Sequence, residues 1–288
     1  MINLLIIGAD SILGSNLINY LSLNCKFRLY VTTRKKEKIN FRTLYLDLND
    51  PKNFIIPENI DFAIIFSYLG GISFTRENSI KTYTINVVNT LEIIMKLHEK
   101  KIHIIYPSTN LFHNNHELSL TKNIYNDYVT QKLEVQDKIL SLGSYGTVIR
   151  SSKIIHSKFQ LFEKWVENFL KKIPVSAFVD FMISPVWIDD YLNLITRIIL
   201  NKISGVILIS SNDQISYYDS GIIICESLGL NKKMVIEKKA ATILHKQDIF
   251  VGEYLNDKNY KENSILSDLV FESNYVIQSY LKSNNYIN

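Results

Sequence analysis

Tyr128 and Lys132 are the two residues of this sequence whose types and spacing most directly suggest chemistry. On a helix, a separation of four residues places both side chains on one face, about one turn apart. A phenol titrates near pH ~10 in water, and a neighbouring ammonium favours the phenolate, so Lys132 is expected to lower the pKa of Tyr128. A shift of three pKa units requires roughly 4 kcal/mol, so a bound cofactor charge is expected to assist the lysine. The alternative is a surface helix with an ordinary tyrosine and lysine.

The first half of the chain predicts the elements that would position such a pair. Short apolar runs alternate with segments of helical periodicity, which indicates a parallel sheet covered on both faces. The predicted strands are Leu4–Ile7, Arg28–Thr32, Ala63–Phe66, His103–Tyr106 and Tyr145–Ile149, and the predicted helices are Ile12–Leu23, Ser79–Glu99 and Asp127–Leu142. Because ligands bind such sheets at the carboxyl ends of the strands, residues 8–14, 33–35, 67–71, 107–113 and 150–153 are expected to carry the function.

The second half of the chain has a less regular pattern. It predicts helices at Phe159–Lys171, after Asp190 as far as Leu200, at Tyr217–Leu228 and at Ser264–Leu281, with strands near Val175–Val179 and Val206–Ile209. The expected fold class is α/β, a Rossmann-type doubly wound parallel sheet with a smaller C-terminal α+β domain. Residues 1–150 are expected to bind a dinucleotide, with the segment 182–210 packing back onto them, and residues 151–288 mainly to bind substrate.

Composition and charge argue against several classes of protein. The 288 residues are 47% hydrophobic and 21% charged, as in an ordinary globular protein. The net charge of +4 comes from scattered basic residues without an aromatic-interleaved stripe, so no nucleic-acid partner is expected. The two cysteines, Cys25 and Cys225, favour a reducing compartment, and the apolar runs are too short for a membrane span. A cytoplasmic protein without a metal site or a membrane partner is therefore expected.

The segment Gly8-Ala-Asp-Ser-Ile-Leu-Gly14 predicts a turn that holds phosphates. It follows a strand and opens a helix, so backbone N–H groups and the helix dipole would face an anion. Gly8 would permit the tight turn, Gly14 would permit close packing, and Ile12 and Leu13 complete the predicted cofactor contacts. Ser11 stands where pyrophosphate usually approaches a glycine, so its Cβ would shift the phosphates or widen the loop, although its hydroxyl could donate to a phosphate.

The end of the second strand indicates which dinucleotide is bound. Arg34 and Lys35 follow it, and no carboxylate appears before Glu37. An NAD site usually has an acid here for the ribose diol, whereas a 2′-phosphate is bound by arginine. NADP(H) is therefore predicted over NAD(H), with a solvated basic turn as the alternative. Asp47 and Leu48 follow a short third strand, where the carboxylate would accept from the adenine amine or cap the next helix.

These motifs stand in the order typical of the extended short-chain dehydrogenase/reductase superfamily. The chain resembles that superfamily in Gly8-x-x-Ser-x-x-Gly14, Asp47, Asn86, Ser108-Thr109 and Tyr128-x-x-x-Lys132. Within the superfamily it is most similar to dTDP-4-dehydrorhamnose reductases and related proteins of the NAD-dependent epimerase/dehydratase family. The likeness extends through residue 150 and continues as shorter matches at 149–152, 184–190 and 263–266.

The resemblance implies a role for each matching residue. Thr109 would hydrogen-bond the substrate carbonyl, Tyr128 would protonate the developing alkoxide, and Lys132 would hold the nicotinamide ribose and lower the tyrosine pKa. Asn86 would brace the fourth helix against the active-site strand, or would be a hydrogen bond within the helix. The resemblance also implies that Phe66, Ser67 and Tyr68 contact the cofactor. It implies that Ser151, Ser152 and Lys153 face nicotinamide and sugar. Ser108 would contact the substrate, or would be a turn residue.

One departure from the family pattern bears on the reaction. Asn110 stands where reductases have an acid after the catalytic threonine, and asparagine can hydrogen-bond a sugar hydroxyl but carries no proton. Asn110 and Leu111 also lack the acidic pair that dehydratases need to expel water. His113 and His116 are interpreted as loop residues, with contact to substrate as the less favoured alternative.

The leading hypothesis is an NADPH-dependent reductase of a nucleotide-linked 4-keto-deoxysugar, in the biosynthesis of surface-polysaccharide sugars. One alternative is a nucleotide-sugar epimerase of the same superfamily. Another is a non-catalytic nucleotide-binding regulatory subunit, which Ser11 and Asn110 favour and the Tyr128–Lys132 pair disfavours. A homodimer formed through the helices near residues 79–99 and 127–142 is expected from the superfamily.

Overall fold

A computed structural model describes residues 1–111, 127–242 and 269–288. These residues form two compact units. The first unit contains Met1–Thr109, the described part of Asn123–Arg150, and Ile195–Ile207. The second contains Ser151–Leu194, the described parts of Leu208–Asn288, and residues 110–111. None of the helices within these ranges is both long enough and apolar enough to cross a membrane.

The described strands are short and mostly buried. In chain order they are β1 (Ile2–Ile7), β2 (Phe27–Thr33), β3 (Thr43–Tyr45), β4 (Phe62–Ile65), β5 (His103–Thr109), β6 (Gly146–Ser151), β7 (Ile154–Ile155), β8 (Val175–Phe178), β9 (Met182–Ile183), β10 (Val186–Trp187), β11 (Gly205–Ile209), β12 (Ile215–Ser216) and β13 (Val235–Lys238). Residues 4–7 of β1 have no exposed surface, which is expected where helices cover both faces of a sheet.

Seven of these strands form the central sheet, in the order β11-β6-β5-β4-β1-β2-β3. Strand β1 pairs in parallel with β2 on one side and with β4 on the other. The pairs β2–β3 and β4–β5 are also parallel. The strand order therefore reverses between β1 and β4, and ligands bind at such a switch point beyond the carboxyl ends of the strands. The predicted Rossmann-type doubly wound sheet is confirmed.

The described helices are α1 (Ile12–Leu21), α2 (Ile72–Glu77), α3 (Ser79–Tyr83), α4 (Thr90–Glu99), α5 (Asp127–Leu140), α6 (Gln160–Leu170), α7 (Ile188–Asn201), α8 (Tyr217–Ser227) and α9 (Ser273–Ser283). Helix α1 ends two residues earlier than predicted. The prediction of a helix beginning at Ser264 falls partly on residues 264–268, which lie outside the described residues.

The segment Ser79–Glu99 is helical throughout, as predicted, but it is not a uniform α-helix. A π-helical turn, Thr84–Asn89, separates α3 from α4. Four of its six residues are β-branched, and such side chains crowd the preceding turn of an α-helix. The hydroxyl of Thr90 donates to the carbonyl of Ile85 five residues earlier (3.0 Å), which satisfies an acceptor in the wider turn. Wider turns of this kind occur frequently at functional sites.

The second unit combines helices with small sheets, as an α+β domain does. Its strands form three pairs, β7–β10 and β8–β13 in parallel and β9–β12 antiparallel. Helix α6 buries Phe162, Trp165, Val166 and Phe169 on one face. The ring of Phe162 stacks on Trp165 and meets Tyr280 of α9 edge-on, so the aromatic side chains form much of this core.

Candidate active site

The turn after β1 requires both of its glycines. Gly8 has φ +88°, a conformation that favours glycine, and a Cβ there would lie 2.6 Å from the backbone nitrogen of Ser67. A Cβ on Gly14 would collide with the carbonyl oxygen of Gly8. The turn thus brings the ends of β1 and β4 and the start of α1 close together.

Ser11 is the N-cap of helix α1. Its Oγ accepts a hydrogen bond from the backbone N–H of Gly14 (3.0 Å), and its own N–H donates to the carbonyl of Gly8 (3.0 Å). Its backbone is extended, with φ −75° and ψ 163°, which any L-residue adopts. The serine therefore satisfies one of the free N–H groups at the start of the helix, and the turn accommodates its Cβ.

A cavity of about 330 Å³ lies at the switch point of the sheet. Among the residues predicted to bind the cofactor, those that line it are Gly8, Ser11, Arg34, Asp47, Leu48, Phe66, Ser67 and Tyr68. The predicted residues outside its described lining are Ile12, Leu13, Gly14, Lys35, Asn86, Tyr128 and Lys132. Asp47 also closes a turn, because its Oδ1 accepts from the backbone N–H and the side-chain amide of Asn49 (3.0 and 2.7 Å).

Asp10 lines the cavity and lies in the segment 8–14 expected to carry the function, but no contact with the cofactor was predicted for it. Its Oδ2 accepts a hydrogen bond from the hydroxyl of Thr33 (2.7 Å), and Thr32 accepts one from the backbone N–H of Gly8 (3.1 Å). Because β1 and β2 are parallel neighbours, the residues that follow them meet at one edge, and this pairing could have indicated Asp10. Thr33 and Leu69 also line the cavity and lie in the predicted segments 33–35 and 67–71. The lining residues outside every predicted segment are Thr32, Leu46, Asn49, Lys81 and Ile85.

Tyr128 and Lys132 lie one turn apart on α5, as their spacing predicts. Lys132 is 8% exposed, and its Nζ donates to the carbonyl of Pro107 (3.0 Å). The same Nζ lies 4.3 Å from the ring centroid of Tyr68 and 4.7 Å from that of Tyr106. The ring of Tyr128 meets Tyr68 edge-on, with centroids 5.2 Å apart. The pair is thus built into an aromatic cluster at the end of β5.

The expected lowering of the Tyr128 pKa by Lys132 together with a cofactor charge stays a prediction, because the protein groups alone shift that pKa upward. Burial raises the pKa of Tyr128 to about 12. Burial also lowers the pKa of Lys132 to about 7, so the lysine is only partly charged near neutral pH. Removal from water disfavours the charged form of each group.

Asn86 fastens the segment after β4 to helix α5. Its Oδ1 accepts from the backbone N–H of Leu69 (2.7 Å), and its Nδ2 donates to the carbonyl of Leu69 (3.1 Å) and to Oε1 of Gln131 (3.0 Å). Gln131 in turn donates to the hydroxyl of Thr82 (3.0 Å). The expected bracing role is therefore directed at the Leu69 segment and α5, whereas strand β5 was the expected partner.

The predicted substrate residues lie at the ends of β5 and β6. Ser108 is part of β5, and its hydroxyl donates to Oε1 of Gln136 (3.3 Å), which also accepts from Nε of Arg150 (3.1 Å). Thr109 ends the same strand and is 6% exposed. The N–H of Asn110 donates to the carbonyl of Ser151 (3.2 Å). Ser108 is thus held as a strand residue.

The residues after β6 belong to the second unit. The backbone N–H of Ser152 donates to the carbonyl of Ile209 (3.4 Å), and its hydroxyl accepts from the N–H of Ser184 (3.3 Å). Nζ of Lys153 lies 5.5 Å from the ring centroid of Phe159. The predictions for His113, His116 and the match at 263–266 lie outside the described residues.

The comparisons with known proteins agree with this geometry. Residues 4–144 match the model of the NAD dependent epimerase/dehydratase family. These residues belong to that family. The expected resemblance to this family is confirmed. The expectation of an enzyme of the extended short-chain dehydrogenase/reductase type is confirmed as well. No curated protein sequence matches the chain.

Solved structures share the fold of this chain. A dTDP-4-dehydrorhamnose reductase from Clostridium acetobutylicum is 14% identical, with 99% of this chain and 100% of that chain covered and a TM-score of 0.79. A UDP-glucose 4-epimerase from Thermotoga maritima with UDP-glucose is also 14% identical, with coverages of 99% and 100% and a TM-score of 0.67. A dTDP-4-dehydrorhamnose reductase from Bacillus anthracis in complex with NADP is 16% identical, with coverages of 84% and 86% and a TM-score of 0.66. The two reductases and the epimerase therefore share the fold of this chain.

The site of this epimerase/dehydratase-family domain offers two kinds of chemistry. The turn after β1 presents backbone N–H groups and a helix N-terminus, which suit an anion. The end of β5 and helix α5 present hydroxyls and an amine, which suit proton transfer. The described residues contain no group of three or more His, Cys, Asp or Glu side chains that could hold a metal ion.

Proposed function

We propose that the protein is an NADPH-dependent reductase of a nucleotide-linked 4-keto-deoxysugar, with a role in surface-polysaccharide sugar biosynthesis. One observation carries the proposal. The Tyr128–Lys132 pair contacts Tyr68, and Tyr68 lines a cavity that begins at a glycine-bounded helix N-terminus. A proton donor thus stands next to a space suited to a dinucleotide.

The residues around the cavity fit a nicotinamide dinucleotide. Gly8 and Ser11 would hold its phosphates at the start of α1, and the ammonium of Lys81 on α3 adds positive charge to the lining. Asp47 would accept from the adenine amine. The bound cofactor supplies the hydride, and the protein supplies orientation and the proton.

Tyr128 would be the proton donor of the proposed reduction. With a pKa of about 12, the phenol keeps its proton at neutral pH, so it can donate to the oxygen of a ketone as that oxygen gains charge. Thr109, at the end of β5, would hydrogen-bond the same ketone oxygen.

The second unit supports a nucleotide-sugar substrate. It contains a cavity of about 200 Å³ with aromatic walls, lined by Leu161, Trp165, Ser176, Ala177, Phe178, Phe181 and Tyr217. Flat aromatic walls suit a planar base, which stacks on them. This cavity supports the proposed substrate-binding role of residues 151–288. A homodimer also remains a prediction, which the exposed Ile80 and Val88 on the Ser79–Glu99 segment favour.

The proposed preference for NADPH depends on Arg34 and is opposed by Asp10. Both line the cavity, so an arginine and a carboxylate face the same ligand. Arg34→Ala should weaken NADPH binding about tenfold, because a charge-assisted hydrogen bond to the 2′-phosphate is worth ~1.5 kcal/mol, and should leave NADH binding nearly unchanged. Asp10→Asn should strengthen NADPH binding relative to NADH, because it removes a negative charge that opposes the phosphate.

Fluorescence titration with both cofactors measures these effects. Lys38→Ala is the matched control, because Lys38 lies in the same basic segment but is not among the predicted cofactor-binding residues and lies outside the described lining of the cavity. Equal loss of NADPH and NADH affinity in Arg34→Ala would contradict the preference.

A panel of dTDP-, UDP-, GDP- and CDP-linked 4-keto-deoxysugars with NADPH tests the proposed reaction. One of these substrates should cause a loss of NADPH absorbance, with formation of an equal amount of reduced sugar. Conversion of a nucleotide sugar without net loss of NADPH would favour the epimerase. Binding of NADPH without turnover of any sugar would favour the regulatory subunit.

A further inference from the structure

Tyr68 lies between the cavity and the Tyr128–Lys132 pair. One side of the residue lines the cavity, while its ring contacts Nζ of Lys132 at 4.3 Å and the ring of Tyr128 at 5.2 Å. Both of those residues lie outside the described lining of the cavity. A ligand in the cavity therefore meets Tyr68 before it meets the lysine.

The amine of Lys132 is enclosed by protein groups. The carbonyl of Pro107 accepts from it, and the rings of Tyr68 and Tyr106 cover it at 4.3 and 4.7 Å. Aromatic faces attract an ammonium, more strongly where water is excluded. Of these three groups, Tyr68 alone lines the cavity, so its ring is the part of the enclosure that faces a ligand.

The contacts of Tyr68 allow its ring to turn while the backbone stays in place. The next residue, Leu69, is held through both its N–H and its carbonyl by Asn86 (2.7 and 3.1 Å). The Tyr68 hydroxyl makes long hydrogen bonds to Oε1 of Gln131 (3.3 Å) and to the carbonyl of Tyr128 (3.5 Å), and it also interacts with the side chains of Thr75 and Asn86. Because the backbone of the next residue is fixed, a change of the Tyr68 side-chain rotamer is the movement that would uncover the lysine.

We propose that Tyr68 is a positioning residue that closes Lys132 off from the cavity, and that its ring must turn aside before a ligand in the cavity can contact the lysine amine. The importance of this movement for turnover rests on the proposed reductase function. The closure itself is a property of the side chains and can be measured without turnover.

Acetylation of Lys132 by acetic anhydride, followed peptide by peptide with mass spectrometry between pH 6 and pH 10, tests the closure. The plateau of the rate at high pH reports access to the neutral amine, and the midpoint reports its pKa. Tyr68→Ala should raise the plateau rate at least about tenfold, because an open state of the parent protein is populated to ~10% or less. Tyr68→Phe should stay within about twofold of the parent protein, because it keeps the ring.

Tyr83→Phe is the matched control. It removes a phenol hydroxyl that donates to Oε1 of Glu134 (2.8 Å), and Glu134 lies on α5, the helix that also carries Lys132. This hydroxyl does not contact the lysine amine. The control should leave Lys132 acetylation unchanged. If Tyr68→Ala does not fold, as judged by circular dichroism, Tyr68→Leu replaces it and should still raise the plateau rate severalfold, because a flexible side chain covers the amine less completely.

Two results would overturn the closure. One is a plateau rate in Tyr68→Ala and Tyr68→Leu that remains within about twofold of the parent rate. The other is a rate in Tyr68→Phe that equals the rate in Tyr68→Ala, since the hydroxyl and not the ring would then control access. NADPH added to Tyr68→Ala should slow the acetylation of Lys132. Failure of NADPH to do so counts against the proposed function, while the comparison of variants without NADPH still decides the closure.

Discussion

Tyr128→Phe should reduce kcat for the keto-sugar nucleotide by roughly 10²- to 10⁴-fold, the usual contribution of a positioned general acid. The substitution removes the proton but keeps the ring that packs edge-on against Tyr68. The Kd for NADPH, measured by fluorescence titration, should therefore change little. Steady-state kinetics on the purified protein measure the loss of turnover.

Tyr83→Phe provides the control for this experiment, because it deletes another phenol hydroxyl bonded to helix α5 at Glu134. The control should keep full activity. Expression of Tyr128→Phe in a cell that lacks the protein should not rescue the phenotype of that cell. Full recovery would contradict the catalytic role and would support the non-catalytic regulatory subunit.

Lys132→Met should make the protein more stable at neutral pH. Burial lowers the pKa of this lysine to about 7, so the folded chain holds its proton less tightly than the unfolded chain, where the pKa is ordinary. The unfolding free energy of the parent protein should rise by about 2 kcal/mol between pH 7 and pH 9, because only the unfolded chain binds the lysine proton throughout this interval. The methionine variant has no such proton and should lack this rise.

Urea denaturation at several pH values measures the difference between the two proteins. Lys138→Met, on the same helix and outside the aromatic cluster around Lys132, is the matched control and should keep the pH dependence of the parent protein. The Lys132→Met variant should also lose turnover, as expected where a functional group reduces stability. An equal rise of the unfolding free energy with pH in the parent protein and in Lys132→Met would show that Lys132 is not the group responsible.

The sequence predicts the sheet and its ligand-binding edge well, for a clear reason. Buried parallel strands are near-continuous apolar runs, and the helices between them have a different period, so the alternation is visible without coordinates. The Gly8 and Gly14 positions follow from the strand and helix on either side of them. The four-residue spacing of Tyr128 and Lys132 likewise depends only on local helix geometry.

Other features depend on tertiary contacts, which local patterns do not reveal. The π-helical turn Thr84–Asn89 exists in a segment whose periodicity resembles an ordinary helix, and Asn86 within it bonds to Leu69 and Gln131. The direction of the Tyr128 pKa shift depends on burial by groups distant in sequence. Asp10 follows β1 and lines the cavity beside the end of β2, because β1 and β2 are neighbours in the sheet. The residues that follow β2 in the sequence do not reveal this carboxylate.

The cap formed by Ser11 widens the range of sequences that can encode this kind of turn. Its extended backbone is open to every L-amino acid, and its hydroxyl supplies a hydrogen bond that glycine cannot make. During evolutionary divergence a glycine at this place can thus change to serine in a single step without refolding of the loop. The two flanking glycines lack this freedom, because a Cβ at Gly8 or at Gly14 would collide with neighbouring backbone atoms, so these are the positions of the turn at which a side chain is excluded.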